Sequence, residues 1–148
     1  MVYKWKTGSQ HKVSAAVAGA EMDRLTEEGR LTPEDLVEDS RPEDAPLHAE
    51  FEWDDSVAAE KYREDQARAI IRHLTVQIEA NNEQYQVRKY FIIQEDQKVY
   101  EPIQLILRDE DKTKMLLEQA KREMLSFKAK YACLKELSEV IKAMDSVA

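Results

Sequence analysis

The chain contains 148 residues, of which 43% are hydrophobic and 35% are charged, and its formal net charge is -8 at pH 7. The low glycine and proline content excludes collagen-like and low-complexity classes, and the hydrophobic share excludes a wholly disordered chain. No hydrophobic run reaches the ~20 residues that cross a bilayer, and the N terminus does not resemble a signal peptide. The single cysteine, Cys133, cannot form an internal disulfide, which favours a cytoplasmic location.

The charges are distributed unevenly along the chain. Residues 1–20 contain three lysines and no acid, whereas residues 21–55 contain fourteen acids and three arginines. The acidic total argues against a duplex DNA-binding protein, which normally presents a basic stripe to the phosphates. The acidic block is typical of a solvated surface, and the alternatives are a docking surface for a basic partner or an imitation of the phosphate track of DNA.

The N-terminal half is predicted to be mainly helical. Ser14 suits the cap of a first helix, and Thr32 followed by Pro33 is typical of the start of a second. A third helix follows a connector rich in proline and acids. The predicted segments, which together form one folding unit, are an arm (1–13), a helical region (14–74) that includes the acidic connector (41–55), and a β-meander with a long helix (75–148).

After the third helix, hydrophobic residues recur at every second position, which is the pattern of a β-strand. Alternating side chains predict three strands over residues 75–107, joined by polar turns at Asn81 and Asn82 and at residues 95–97. Pro102 cannot donate to a sheet, so the third strand is predicted to be an edge. The predicted fold class is therefore α+β, with N-terminal helices and an acidic connector, a three-stranded antiparallel β-meander, and a long C-terminal amphipathic helix.

Residues 110–144 contain no glycine or proline and are predicted to form one continuous helix. At 1.5 Å per residue it would be roughly 50 Å long, whereas the sheet would be only about 30 Å long. Its free half therefore packs on the N-terminal helices or on a second copy, and both alternatives stay open. The heptad positions that are candidates for self-association are Leu117, Met124, Phe127, Tyr131, Leu134 and Ile141.

The sequence offers no established catalytic motif. Three glycines cannot build a phosphate loop or a dinucleotide fingerprint, and His11, His48 and His73 share no metal-binding spacing. Adjacent acids in the connector are typical of solvated groups, whereas acid–base catalysis needs a buried and perturbed carboxylate. We therefore predict no catalytic residue, no metal and no cofactor.

The arm combines lysines with aromatic residues. Such a pattern can track phosphates with its cations while the rings stack on bases or wedge into a groove. The structural alternative is that Tyr3 and Trp5 anchor the terminus to the rest of the protein. The residues predicted for nucleic-acid binding are Tyr3, Lys4, Trp5, Lys6 and Lys12.

Residues 46–55 embed aromatic side chains among acids, and we call this stretch the acidic aromatic segment. Aromatic side chains are costly to leave exposed to water. They therefore either anchor the connector on the core or form a docking surface for a basic protein. The residues predicted for partner binding are Leu47, Phe51, Trp53, Asp54 and Asp55.

Four stretches of the chain stand out as a set of motifs. They are Tyr3-Lys4-Trp5-Lys6, Leu31-Thr32-Pro33-Glu34-Asp35-Leu36-Val37, Pro46-Leu47-His48 with Phe51-Glu52-Trp53-Asp54-Asp55, and Ala58-Ala59-Glu60-Lys61-Tyr62-Arg63 with Gln66-Ala67-Arg68. In these stretches the chain resembles a family of small acidic proteins encoded by bacterial phages and prophages. The resemblance implies a cytoplasmic product of a phage or mobile element in a bacterial host cell, and it carries over no functional residue.

These observations predict a non-enzymatic interaction or regulatory protein of phage type. We expect it to dock a partner protein through the acidic aromatic segment and to self-associate through its C-terminal helix. One alternative is a nucleic-acid-associated protein that uses the basic arm, which the acidic net charge disfavours. Another is an acidic DNA-mimic inhibitor.

Overall fold

The computed structural model describes residues 1–94, 96 and 98–147. The chain forms two compact units, Met1–Leu105 and Ile106–Ala148. Helices and strands are both present, and three strands form an antiparallel sheet, which confirms the α+β class at this level. The turn predicted at residues 95–97 includes Glu95 and Gln97, which lie outside the described residues.

Six helices and two short 3-10 turns are found among the described residues. In chain order the helices are α1 (Ala15–Glu27), α2 (Pro33–Asp39), α3 (Val57–His73), α4 (Ile103–Ile106), α5 (Glu110–Tyr131) and α6 (Ser138–Val147), and the 3-10 turns are His48–Glu50 and Lys135–Leu137.

The two helix starts predicted from capping residues are confirmed. The hydroxyl of Ser14 accepts a hydrogen bond from the amide of Val17 at 3.3 Å, at the start of α1. The hydroxyl of Thr32 accepts one from the amide of Asp35 at 3.1 Å, and Pro33 is the first residue of α2. Each cap satisfies an amide that has no partner inside its helix.

The main sheet pairs a strand of the N-terminal arm with a β-hairpin. Its strands, in the order β1-β2-β3, are β1 (Tyr3–Trp5), β2 (Leu74–Ala80) and β3 (Glu83–Arg88). Tyr3 lies opposite Val76, and both neighbouring pairs of strands are antiparallel. Asn81 and Asn82 form the hairpin turn with φ angles of 53° and 64°, a conformation that asparagine tolerates better than most residues.

The prediction of a third strand within residues 75–107 is wrong for this sheet. Among the described residues from 96 to 107, the strand is limited to Glu101–Pro102 (β5), which pairs with Tyr90–Phe91 (β4) in a separate two-stranded sheet. Helix α4 begins directly after Pro102. Pro102 has no amide to extend a ladder, and Ile103 and Ile106 share one side of a helical turn, so the strand ends there.

One buried hydrophobic cluster organises the unit Met1–Leu105. Helix α1 contributes residues spaced three and four apart, which places them on one helix face. The members from helices α1, α2 and α3 are Ala15, Ala18, Met22, Leu25, Leu36, Val37, Ala67, Ile70 and Ile71. The remaining members, which come from the connecting segments and strands, are Leu31, Leu47, Phe51, Leu74, Tyr90 and Tyr100.

The C-terminal unit is a helical hairpin, so the prediction of one continuous helix over residues 110–144 is wrong. Helix α5 ends at Tyr131, the 3-10 turn follows, and α6 returns towards α5. Nζ of Lys128 lies 2.7 Å from Oδ1 of Asp145, which joins the two helices. The reversal buries Ile141 and creates a groove of about 220 Å³, lined by side chains that include Met124, Leu125 and Met144.

Candidate interaction surfaces

The acidic aromatic segment is anchored in the core of the unit Met1–Leu105. Leu47 and Phe51 are buried members of the hydrophobic cluster. Their side chains cannot contact a partner in this fold, which corrects the prediction that they bind one and favours the anchoring alternative. Trp53 is half-buried, whereas Asp54 and Asp55 are exposed. A surface formed by this segment is therefore smaller and more polar than the sequence indicated.

Arg63 of α3 holds the segment in place. Its side chain is only 2% exposed, and its guanidinium donates to the backbone carbonyls of Glu52 and Asp54. The same guanidinium lies 5.0 Å from the centre of the Trp53 ring, within the range of a cation–π interaction. The indole of Trp53 also donates to the carbonyl of His48 at 2.9 Å. Trp53 is thereby fixed by two separate partners, the guanidinium of Arg63 and the carbonyl of His48.

The acidic block is partly neutralised within the unit itself. Arg24 forms ion pairs with Glu21, Glu28 and Asp39 at 2.5–2.7 Å. Burial opposes ionisation of the Asp39 carboxyl, but its hydrogen bonds and ion pairs with Arg24 and Arg30 lower its pKa overall. A DNA mimic needs carboxylates that stay free to face a basic protein. The ion pairs therefore remove part of the support for that alternative.

The N-terminal arm is built into the fold as β1. The hydroxyl of Tyr3 donates to Asp23 at 2.5 Å, and the indole of Trp5 donates to the carbonyl of Val13 at 3.0 Å. Burial, followed by the hydrogen bond to Asp23, raises the pKa of the Tyr3 hydroxyl. Because these two rings are held against the protein, they are not available to stack on bases. The three lysines predicted for phosphate contact, Lys4, Lys6 and Lys12, are exposed.

A chain of three titratable side chains lies beneath the arm, and sequence spacing did not reveal it. Nδ1 of His11 lies 3.3 Å from Oε2 of Glu50, and Nε2 of His11 lies 3.0 Å from Nδ1 of His73. The other carboxylate oxygen of Glu50 accepts hydrogen bonds from the backbone amides of Lys12 and Val13. The two histidines are 62 residues apart in sequence, and the pairing of β1 with β2 holds the arm that contains His11 near the end of α3.

The six residues predicted for self-association do not share one helix face. The reversal after Tyr131 separates Leu134 and Ile141 from the α5 positions, and Ile141 is buried within the fold, so the prediction is wrong for Ile141. Met124 and Phe127 are half-buried, whereas Leu117, Tyr131 and Leu134 are exposed by 43–47%.

Helix α5 presents more hydrophobic surface than the heptad pattern identified. None of its 22 residues, all of them described, is buried. Met115, Leu117, Leu125 and Tyr131 are 41–57% exposed. These exposed side chains make α5 the candidate interaction surface of the unit Ile106–Ala148.

Within residues 1–94, 96 and 98–147, no cluster of three histidine, cysteine or acidic side chains could hold a metal ion. In the same part of the chain, no helix has both the length and the hydrophobicity required to span a bilayer. The chain matches no protein-family model, no curated protein and no solved structure.

Proposed function

We propose that this protein is a non-enzymatic interaction protein that self-associates through the unit Ile106–Ala148. The exposed hydrophobic side chains of helix α5 support this proposal. They occur along its length, and no described residue of the helix is buried. The resemblance to phage-encoded proteins supports a phage setting. Burial of Leu47 and Phe51 in the core argues against docking of a partner through the acidic aromatic segment.

The length of α5 is the physical reason for a partner. A helix of 22 residues extends for about 33 Å, and helices in water gain most of their stability by packing a hydrophobic face. Helix α6 has only 10 residues and spans about 15 Å. It can therefore cover less than half of α5, and the uncovered part gains stability from a second surface.

The charges of α5 favour a second copy of this chain in antiparallel orientation. Residues 109–118 contain four acids and two lysines, whereas residues 119–131 contain four cations and one acid. An antiparallel pair places the acidic start of each helix beside the basic end of the other. A parallel pair would place like-charged halves side by side, which is less favourable.

Two variants of one surface test the proposal. Leu117→Glu and Leu125→Glu each place a charge in the proposed interface, and we expect either change to shift the protein from dimer to monomer in sedimentation velocity. Val17→Glu is the matched control, because Val17 is a similarly exposed hydrophobic residue of α1 in the other unit. Loss of the dimer in Val17→Glu, or its retention in both leucine variants, would contradict the proposed surface. Circular dichroism verifies that each variant keeps its helix content.

A further inference from the structure

An open cavity of about 530 Å³ lies where β1, α3, β2 and β3 meet. Five residues line it, and they come from the end of the arm strand, the last turn of α3 and the two strands of the hairpin. They are Lys6, Arg72, His73, Thr75 and Arg88. No carboxylate is among the lining residues within the described part of the chain, although the whole protein is strongly acidic.

The sheet register explains why these cations converge. The amide of Lys6 donates to the carbonyl of His73 at 2.7 Å, so the end of the arm is fixed beside the last turn of α3. Thr75 lies opposite Arg88 on β3. A cation in the last turn of a helix interacts favourably with the helix dipole, which accounts for Arg72 alone. Lys6 and Arg88 come from other elements, and the dipole does not explain their presence.

The His73 imidazole lies close to the positive charges of Lys6 and Arg72. Burial lowers the pKa of its imidazole, and the nearby His11, Lys6 and Arg72 lower it further, in that order. The ring is held in position by its contact with Nε2 of His11 at 3.0 Å. Several positive groups thus act on one place that has no negative side chain in its lining.

We propose that this cavity binds the phosphate group of a small phosphorylated ligand, such as a nucleoside monophosphate. Arginine side chains bind phosphate through paired, charge-assisted hydrogen bonds, and lysine adds a point charge. The cavity volume falls within the range of about 300–1,000 Å³ that is typical of small-molecule sites, so it also has room beyond the phosphate. The site lies in the unit Met1–Leu105 and is independent of the self-association proposed for the other unit.

Titration of the native protein with inorganic phosphate and with AMP, followed by amide NMR at low salt, tests this proposal. We expect saturable shifts at Lys6, Arg72, Thr75 and Arg88 with both probes. Arg72→Gln removes one lining cation and should weaken AMP binding about tenfold, the usual effect of losing one charge-assisted hydrogen bond. Lys6→Gln is a second variant with the same expected direction.

Lys61→Gln is the matched control, because it removes one positive charge from an exposed position of the same helix outside the cavity. It should leave AMP binding unchanged within about twofold. Equal weakening by Lys61→Gln and Arg72→Gln would overturn the proposal, because it would indicate a general charge effect. A complete lack of shifts with both probes would also overturn it, as would binding of a single-stranded oligonucleotide without any response to phosphate or AMP.

Discussion

Nε2 of His11 lies 3.0 Å from Nδ1 of His73, and the opposite nitrogen of His11 lies 3.3 Å from a carboxylate oxygen of Glu50. The three side chains connect the N-terminal arm, the 3-10 turn and the end of α3. A separation of 3.0 Å accommodates one proton between the two rings, so the pair cannot carry a proton on both facing nitrogens. The contact therefore links the placement of the arm to the protonation of His73.

This contact predicts that the folded state loses stability in mildly acidic solution. In the folded protein the pKa of His73 lies below its ordinary value of 6.5, chiefly because the side chain is buried. The unfolded chain therefore binds the proton more readily, and the free energy of unfolding should decrease as pH falls below about 6.5. Urea unfolding between pH 5 and pH 7 measures this slope. The slope should be smaller in His73→Asn, and an unchanged slope in that variant would contradict the role of His73.

Gly19 of α1 should not tolerate even a methyl group. A Cβ at this position would overlap the ring of Tyr3. Helix propensity alone predicts that Gly19→Ala gains about 1 kcal/mol, whereas the overlap predicts a loss of about 1–3 kcal/mol. Thermal unfolding shows whether Gly19→Ala stabilises or destabilises the protein. In a Tyr3→Ala background the overlap is absent, so there the same change should be stabilising; a loss in both backgrounds would exclude the ring as its cause.

Substitution of Arg63 should destabilise the protein much more than substitution of Arg68, an exposed arginine of the same helix. Arg63→Met leaves the carbonyls of Glu52 and Asp54 without their donor and removes the cation beside Trp53, and we expect a cost of about 2–4 kcal/mol in urea unfolding. Arg68→Met is the control on the same helix. Arg68 is 41% exposed and pairs with Glu64 and Asp65 of the same helix, so its cost should stay within about 0.5 kcal/mol. Equal costs would refute the anchoring role.

Local features of the sequence predicted local features of the fold. Ser14 and Thr32 begin helices because their side chains satisfy nearby amides, and Asn81 and Asn82 form a turn because they accept positive φ angles. These effects depend on residues within three or four positions of each other. Such features can be inferred without knowing where the rest of the chain lies.

The features that the sequence did not predict depend on contacts between residues that are far apart in the chain. Tyr3 pairs with Val76, and no periodicity in the arm indicates that partner. Helix α5 ends at Tyr131 without a glycine or proline, and the reversal is stabilised by contacts such as Lys128 with Asp145. Burial of Phe51 likewise depends on which helices lie beneath it. Tertiary packing decided each of these points.

The native cysteine reports the orientation of the proposed dimer without any substitution. Cys133 is exposed and lies just beyond the end of α5. In an antiparallel pair the two copies of Cys133 should lie about 30–40 Å apart, because the ends of the helices are opposite. Spin labels on Cys133 measure this separation by pulsed electron resonance. Labels within about 20 Å would indicate a parallel pair, since neighbouring helix axes are about 10 Å apart.

Whether the C-terminal hairpin associates with a second copy can be read from the mass of the native chain in solution. Sedimentation equilibrium should be recorded from about 5 to about 200 μM, a range that includes weak interfaces. We predict that the mean mass rises with concentration from 17.2 kDa towards twice that value. A mass of 17.2 kDa at every concentration would contradict self-association and leave the exposed face of α5 without its proposed partner.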